Sequence, residues 1–314
     1  MSKKTLLILG ASGLTGYKAL QIAKKRFEVI GTYNQRAVQS DAGSLIKLDI
    51  SKEEEVKRAF DEIKPDCVLN TTALHNVDYC ETHPEESFNI NTKAVGLFAR
   101  LCNNKGSRLV HISTDFVFGG EKGNYTETDS PNPLSLYAKH KLEGELEARK
   151  CSSFSILRPS VVYGWTHLET QGSTSSSGKP MNFALWALSK MNKKEELKIV
   201  TDQFTSPTLG DVLAAVSIRL LTFEKNDLYH VAGTTPISRY EFTRKLAAIM
   251  GYDPNAIKPI ESKSFTQIAK RPMNSSLNCD KVQKALNYKL LNVDESLAVM
   301  RSQIEVESPE LLGA

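Results

Sequence analysis

The chain predicts an α/β fold, a doubly wound parallel sheet followed by a smaller, mostly helical C-terminal region. Three observations carry that prediction. Short apolar runs alternate with amphipathic helical segments through the first half. The first run leads at once into Gly10, Gly13 and Gly16. After Tyr163 the alternation gives way to mainly helical periodicity.

Leu6 to Leu9 is apolar without alternation, as a strand buried on both faces requires. A helix with Leu14, Tyr17, Ala19, Leu20 and Ala23 follows. Phe27 to Thr32 and Leu45 to Leu48 read as the second and third strands, and Ser51 with Glu54 has the spacing of a capping box that opens a helix to about Ile63. Cys67 to Asn70 is a fourth strand, and a long helix is expected from about Pro84 through Phe98 and Leu101. Arg108 to Ser113 is a fifth strand, about Leu134 to Arg149 a helix, and Phe154 to Leu157 a sixth strand. Repeated βα units imply parallel pairing, and ligands of such sheets bind beyond the carboxyl ends of the strands. Gly10, Asp49, Thr71 and Ser113-Thr114 all fall there. In the second half, Leu168 to Pro180 is rich in Ser, Thr and Gly and reads as a mobile loop or lid, and a second capping box is expected at Ser238 and Glu241.

Two motifs carry chemistry. Strand, Gly10/Gly13/Gly16 turn and helix in register let the backbone approach a pyrophosphate, whose charge the helix N-terminus favours. Tyr137 and Lys141 lie at i and i+4 on one helix face, so the Lys141 ammonium is expected to lower the pKa of the phenol and fit it for proton transfer. The same spacing also arises by chance on amphipathic helices, where the lysine is only a solvated face. Its place after Ser113-Thr114-Asp115 and the glycine turn favours chemistry.

Composition bounds the alternatives. The chain has 314 residues, 40% hydrophobic and 24% charged, enough for a large α/β domain with an appendage and too polar for a membrane protein. A net charge of +4 without clustering argues against nucleic acid. Cys67, Cys80, Cys102, Cys151 and Cys279 are scattered, so neither a disulfide framework nor a metal site is indicated, and a cytoplasmic location is the default expectation.

With its narrower motifs added, the sequence resembles an extended short-chain dehydrogenase/reductase, a Rossmann enzyme, and is most similar to the dTDP-4-dehydrorhamnose reductases. Those motifs are Val77-Asp78 with Glu81, Asn89 and Asn91, and the run Ser113 to Gly120. Tyr125-Thr126-Glu127, Arg158-Pro159 through Tyr163-Gly164, Asp202-Gln203 with Ser206-Pro207-Thr208, Tyr229 to Gly233 and Arg271-Pro272 continue the series over nearly the whole length. The glycine turn departs from the family in reading Gly-Leu-Thr-Gly, and the Ser/Gly stretch at 168–180 is longer than the family's link.

The resemblance implies residues 1–164 as an NADP-binding domain and 165–314 as a substrate-binding region, with about 195–230 returning to the first. It implies Thr114, Tyr137 and Lys141 as catalytic residues. Gly10, Ser12, Gly13, Leu14, Thr15, Arg36, Asp49, Ile50, Thr71, Thr72 and Ala73 would join Tyr137 and Lys141 in holding the cofactor. Asp115, Val117, Asp202, Gln203 and Arg271 would hold substrate, although Asp115 reads equally well as a turn cap and Arg158 as a structural ion pair. His75, His111 and His230 read as packing positions. The second strand ends in Thr32-Tyr33-Asn34-Gln35-Arg36 with no acid for a ribose 2′-hydroxyl, so Arg36 facing a 2′-phosphate favours NADPH, with NADH as the alternative.

The expected function is NADPH-dependent reduction of a nucleotide-activated 4-ketosugar, dTDP-4-dehydro-L-rhamnose first. The alternatives are a reductase or epimerase of another nucleotide sugar, and a non-catalytic NADP-binding subunit resembling the beta subunit of methionine adenosyltransferase. The expected partner is a nucleotide sugar, with no nucleic acid or membrane, and a homodimer is left open.

Overall fold

The computed structural model describes residues 3–38, 40–166, 182–264 and 267–313, so the stretch read as a lid, 168–180, lies outside the described residues. In chain order the first strands are β1 (Lys4–Leu9), β2 (Phe27–Tyr33), β3 (Ser44–Lys47), β4 (Cys67–Asn70), β5 (Arg108–Ile112) and β6 (Phe154–Arg158). Then come β7 (Ser160–Tyr163), β8 (Leu197–Val200), β9 (Phe204–Thr205), β10 (Pro207–Leu209), β11 (Asp227–His230), β12 (Ile237–Ser238) and β13 (Ile257–Ile260). A seven-stranded sheet runs β11-β6-β5-β4-β1-β2-β3, parallel at every pairing.

Its strands alternate between two cores. Leu6 and Ile8 of β1 face one apolar layer with Leu69, Val110 and Leu157, while Leu7 and Leu9 face the other with Val68, Leu109 and Ile156. Each fully buried side chain of this kind contributes roughly 1.5–3 kcal/mol, which is why these runs lack the polar alternation of a one-sided sheet. β1 lies between β2 and β4, so the chain leaves it in both directions and a crevice opens at its carboxyl end.

The first helices are α1 (Leu14–Ala23), α2 (Glu53–Ile63), α3 (Val77–Thr82), α4 (Pro84–Phe88), α5 (Ala94–Lys105) and α6 (Leu136–Ala148). The second half supplies α7 (Phe183–Asn192), α8 (Gly210–Leu220), α9 (Arg239–Ile249), α10 (Asp280–Leu286) and α11 (Val293–Glu307). α8 returns to the sheet layer beside α1, where Lys18 pairs with Asp211, and β11 extends the sheet itself. The remaining strands form small pairs, β7 with β10, β8 with β13 and β9 with β12, around a core that includes Leu185, Phe242, Leu246 and Met300. Among the described residues no helix is long and apolar enough to cross a membrane.

Local chemistry overrode two expectations. The Ser51 hydroxyl and N–H both donate to Asp49 Oδ1, at 2.7 and 3.0 Å, so Ser51 caps nothing; Lys52 is the N-cap of α2, and Glu54 pairs with Lys57. A full capping box occurs instead at Asn292 and Glu295 of α11, whereas at Ser238 half of the expected box is present, the hydroxyl accepting the Glu241 N–H. The long helix from Pro84 is interrupted by a π turn at Asn89–Lys93, between α4 and α5.

Candidate active site

α6 is the element on which the site turns. Ser135 caps it by accepting the Ala138 N–H, and the Glu81 carboxylate accepts the N–H of Leu136 at 2.8 Å, placing negative charge where the helix dipole favours it. Tyr137, Lys141 and Glu145, spaced by four, share one face. Glu145 accepts two bonds from Arg158 of β6, at 2.8 and 2.7 Å, and one from the Ser113 hydroxyl, all buried. This ion pair fixes the rotation of α6 against β5 and β6, and Arg158 is thus structural, as expected. Gly144 lets α6 approach the π turn, since a Cβ there would lie 2.2 Å from the Asn91 carbonyl.

Lys141 is buried and donates from Nζ to the Ile112 carbonyl at 2.7 Å, at the end of β5. Burial brings its pKa down to about 8, with Glu145 opposing. Tyr137 lies in a small apolar cluster with Leu74, Val77, Cys80 and Ala269, its ring edge-on to Phe116. Burial pushes the phenol well above its ordinary value, and the smaller opposing pull comes from Thr114. The expectation that Lys141 lowers this pKa is therefore corrected: desolvation of the phenolate dominates, and the ammonium is turned to Ile112. The phenol stays protonated at neutral pH and is a donor.

The crevice at the end of β1 is shaped by its glycines. Gly10 has φ +84, and a Cβ on it would lie 2.8 Å from Thr71 Oγ1; one on Gly16 would lie 2.2 Å from the Gly10 carbonyl. A Cβ on Gly13 would meet only Gly10 O at 3.5 Å, so folding alone does not demand glycine there, while close approach by a pyrophosphate does. Gly13 is the N-cap of α1 and supplies no side-chain cap, leaving the helix start to an anion. Arg36 Nη2 donates to the Ser12 carbonyl at 2.6 Å, which sets its guanidinium beside the turn. These residues fit a dinucleotide.

Across the crevice, Thr71 Oγ1 donates to the Leu9 carbonyl, and the Thr72 hydroxyl and N–H donate to Asn70 Oδ1. Asn70 is buried against His111 Nδ1 at 3.0 Å. Asn91, from the π turn, accepts the Leu74 N–H and donates to the Leu74 carbonyl, fixing the chain just beyond Ala73. Ser12, Leu14, Thr15, Thr71, Thr72 and Ala73 thus flank one crevice. Asp49 is partly exposed with its carboxylate held by Ser51, and Ile50 is buried.

The substrate side is assembled from distant segments. Asp115 is buried and accepts hydroxyl bonds from Ser160 (2.7 Å), Ser275 (2.5 Å) and Thr114 (3.2 Å). Burial raises its pKa against the pull of those hydroxyls. Arg271 forms a two-point pair with Asp78, at 2.9 and 2.7 Å, and also donates to the Ala269 carbonyl. Gln203 is buried with its carbonyl accepting the Arg239 N–H, and Asp202 accepts the N–H and hydroxyl of Ser262.

A family model described as the RmlD substrate binding domain matches residues 4–305. The chain belongs to this family. It is 30% identical to the probable low-salt glycan biosynthesis reductase Agl14 of Haloferax volcanii, over 94% of this chain and 96% of that protein. It is also 30% identical to the dTDP-4-dehydrorhamnose reductase of Escherichia coli K12, over 87% and 93%. The crystal structure of a Bacillus anthracis dTDP-4-dehydrorhamnose reductase in complex with NADP superposes with a TM-score of 0.81 at 24% identity, covering 96% of this chain and all of that one, a likeness of fold.

Within this RmlD family member several readings change. Val117 has no exposed surface and belongs to the core, so its side chain offers nothing to a ligand. Asp115 is held by three hydroxyls and anchors the wall, the structural alternative to a substrate contact. His111 and His230 are buried as expected, and His75 is exposed. No sequence pattern gives Asn70, Glu145 or Arg239 a part in the site, and Asn91 and Asp78 stand out in the sequence only as family markers. The one local signal available was the spacing from Tyr137 through Lys141 to Glu145.

Proposed function

We propose that this chain is an NADPH-dependent reductase of a nucleotide-activated 4-ketosugar, with dTDP-4-dehydro-L-rhamnose as its substrate. The observation that carries the reading is the juxtaposition of a protonated, buried Tyr137 with Thr114 on one side and Lys141 one helical turn away. Family membership, and the names of relatives that align over most of their length, support it.

When bound, the nicotinamide cofactor supplies hydride to the ketone carbon. Tyr137 gives its proton to the ketone oxygen, which leaves an alcohol on the sugar and a phenolate to be reprotonated from solvent. The Thr114 hydroxyl donates to the same oxygen as negative charge develops on it. Lys141 would hold the cofactor ribose with the donors that the Ile112 carbonyl leaves open, a role that its ammonium performs best below its pKa of about 8. Arg36, beside Ser12, meets the 2′-phosphate and sets the preference for NADPH. Residues 1–164 serve as the cofactor half and 165–314 as the substrate half, with α8 and β11 returning to the sheet.

The test is NADPH oxidation with freshly generated dTDP-4-keto-L-sugar, run beside the UDP and GDP equivalents. Turnover with the dTDP compound and formation of the 4-hydroxy product are expected. Turnover only with another nucleotide moves the substrate, and cofactor binding with no turnover on any ketosugar sinks the assignment as a reductase.

A further inference from the structure

We propose that Arg239 is the side chain that binds the diphosphate of the nucleotide sugar, an inference that rests on the substrate class assigned above. Arg239 opens α9 at the edge of the substrate wall. Its position is set by backbone: Ser238 pairs with Phe204 in the β9–β12 ladder, and the Arg239 N–H donates to the Gln203 carbonyl at 3.0 Å. Its guanidinium sits over the Phe183 ring at 5.1 Å from the centroid, and Phe183 is itself stacked on Trp186. Stacking holds the plane of the fork and leaves its edge N–H groups free to donate.

No carboxylate, carbonyl or hydroxyl among the described residues bonds or pairs with that guanidinium. This separates Arg239 from the other arginines of the wall and its support. Arg271 is matched by Asp78, and Arg158 by Glu145. Asp115, whose charge Arg239 does feel, has its oxygens taken by three hydroxyls. Burial lowers the Arg239 pKa, the nearby charge of Asp115 holds it up and Arg271 lowers it again, so the cation is kept here with no protein group bonded directly to its guanidinium. An anion with several acceptor oxygens, arriving at the Arg239 guanidinium, supplies the hydrogen-bonding partner that the described residues do not. The diphosphate is the part of a nucleotide sugar that fits, because a planar fork bonds two of its oxygens at once.

Calorimetric titration of the NADP-loaded protein with dTDP, UDP and GDP tests this. Arg239→Gln is expected to weaken whichever diphosphate the wild type binds by about 10- to 100-fold. NADP affinity and Tm should stay unchanged, and Arg239→Lys should recover part of the loss. In turnover the same variant should raise KM for the sugar nucleotide more than it lowers kcat. Equal diphosphate affinity in wild type and Arg239→Gln overturns the inference alone. A parallel fall in NADP affinity and Tm also overturns it, because that marks a structural role. A wild type that binds none of the diphosphates removes both the inference and the substrate class beneath it.

Discussion

The cofactor crevice and the substrate wall meet at Tyr137 but are built by different means. The crevice is local: Gly10, Gly13 and Gly16 lie within one turn and one helix start, and the partners across it follow directly from β4. The wall is remote: Asp78 meets Arg271 across 193 residues and Asp115 meets Ser275 across 160. A crevice made from consecutive backbone is set as soon as its strand and helix form. A wall made from distant side chains forms only when the whole chain has folded. The two regions should therefore fail separately, and substitutions can show whether they do.

The largest effect is expected at the junction. Tyr137→Phe removes the proton donor and almost no packing, so kcat should fall by about 10²–10⁴-fold while NADPH affinity stays within twofold, roughly the error of the titration. Stopped-flow turnover and cofactor titration check this, and wild-type turnover in the variant would remove Tyr137 from the reaction.

Asp115→Ala strikes the wall. It leaves the Ser160 and Ser275 hydroxyls buried without their acceptor and should cost about 3 kcal/mol of stability in urea unfolding. The folded fraction should bind sugar nucleotide poorly and NADPH normally. An equal loss of both ligands would mean that wall and crevice are one cooperative unit, and the contrast between them would be broken.

How far each region could be read from sequence follows from the same difference. The glycine turn and the Tyr137/Lys141 pair were legible because periods of three and four residues map directly onto a turn and a helix face. The strands were legible because runs such as Leu6 to Leu9 can only be buried on both sides. The π turn at Asn89–Lys93 was not, since Asn91 is held by Leu74 and lies against Gly144 of another helix, contacts that no propensity near Asn91 records. Ser51 misled because Asp49, two residues away, competes for its hydroxyl. The raised pKa of Tyr137 was equally out of reach: spacing brings Lys141 near, but burial by Leu74 and Val77 and by the distant Ala269 decides the sign. Arg239 is recognisable only by the lack of a partner, which no sequence pattern shows.

The smallest effect sharpens the crevice side of the comparison. Arg36 is partly exposed, and its bond to the Ser12 carbonyl orients it along the glycine turn. A 2′-phosphate placed there gains charge-assisted bonds that a 2′-hydroxyl cannot match, and partial exposure holds their worth toward the low end of the range for such contacts. Arg36→Ala should thus raise KM for NADPH by about tenfold and leave KM for NADH, the KM for sugar nucleotide and the Tm unchanged. Steady-state kinetics with both cofactors at saturating sugar nucleotide measure this. An equal rise for NADPH and NADH would show that Arg36 supports the turn through Ser12 and does not read the phosphate. A rise in the sugar-nucleotide KM would show that the crevice transmits its shape to the wall, in which case the separation of the two regions would not hold even for a change this small.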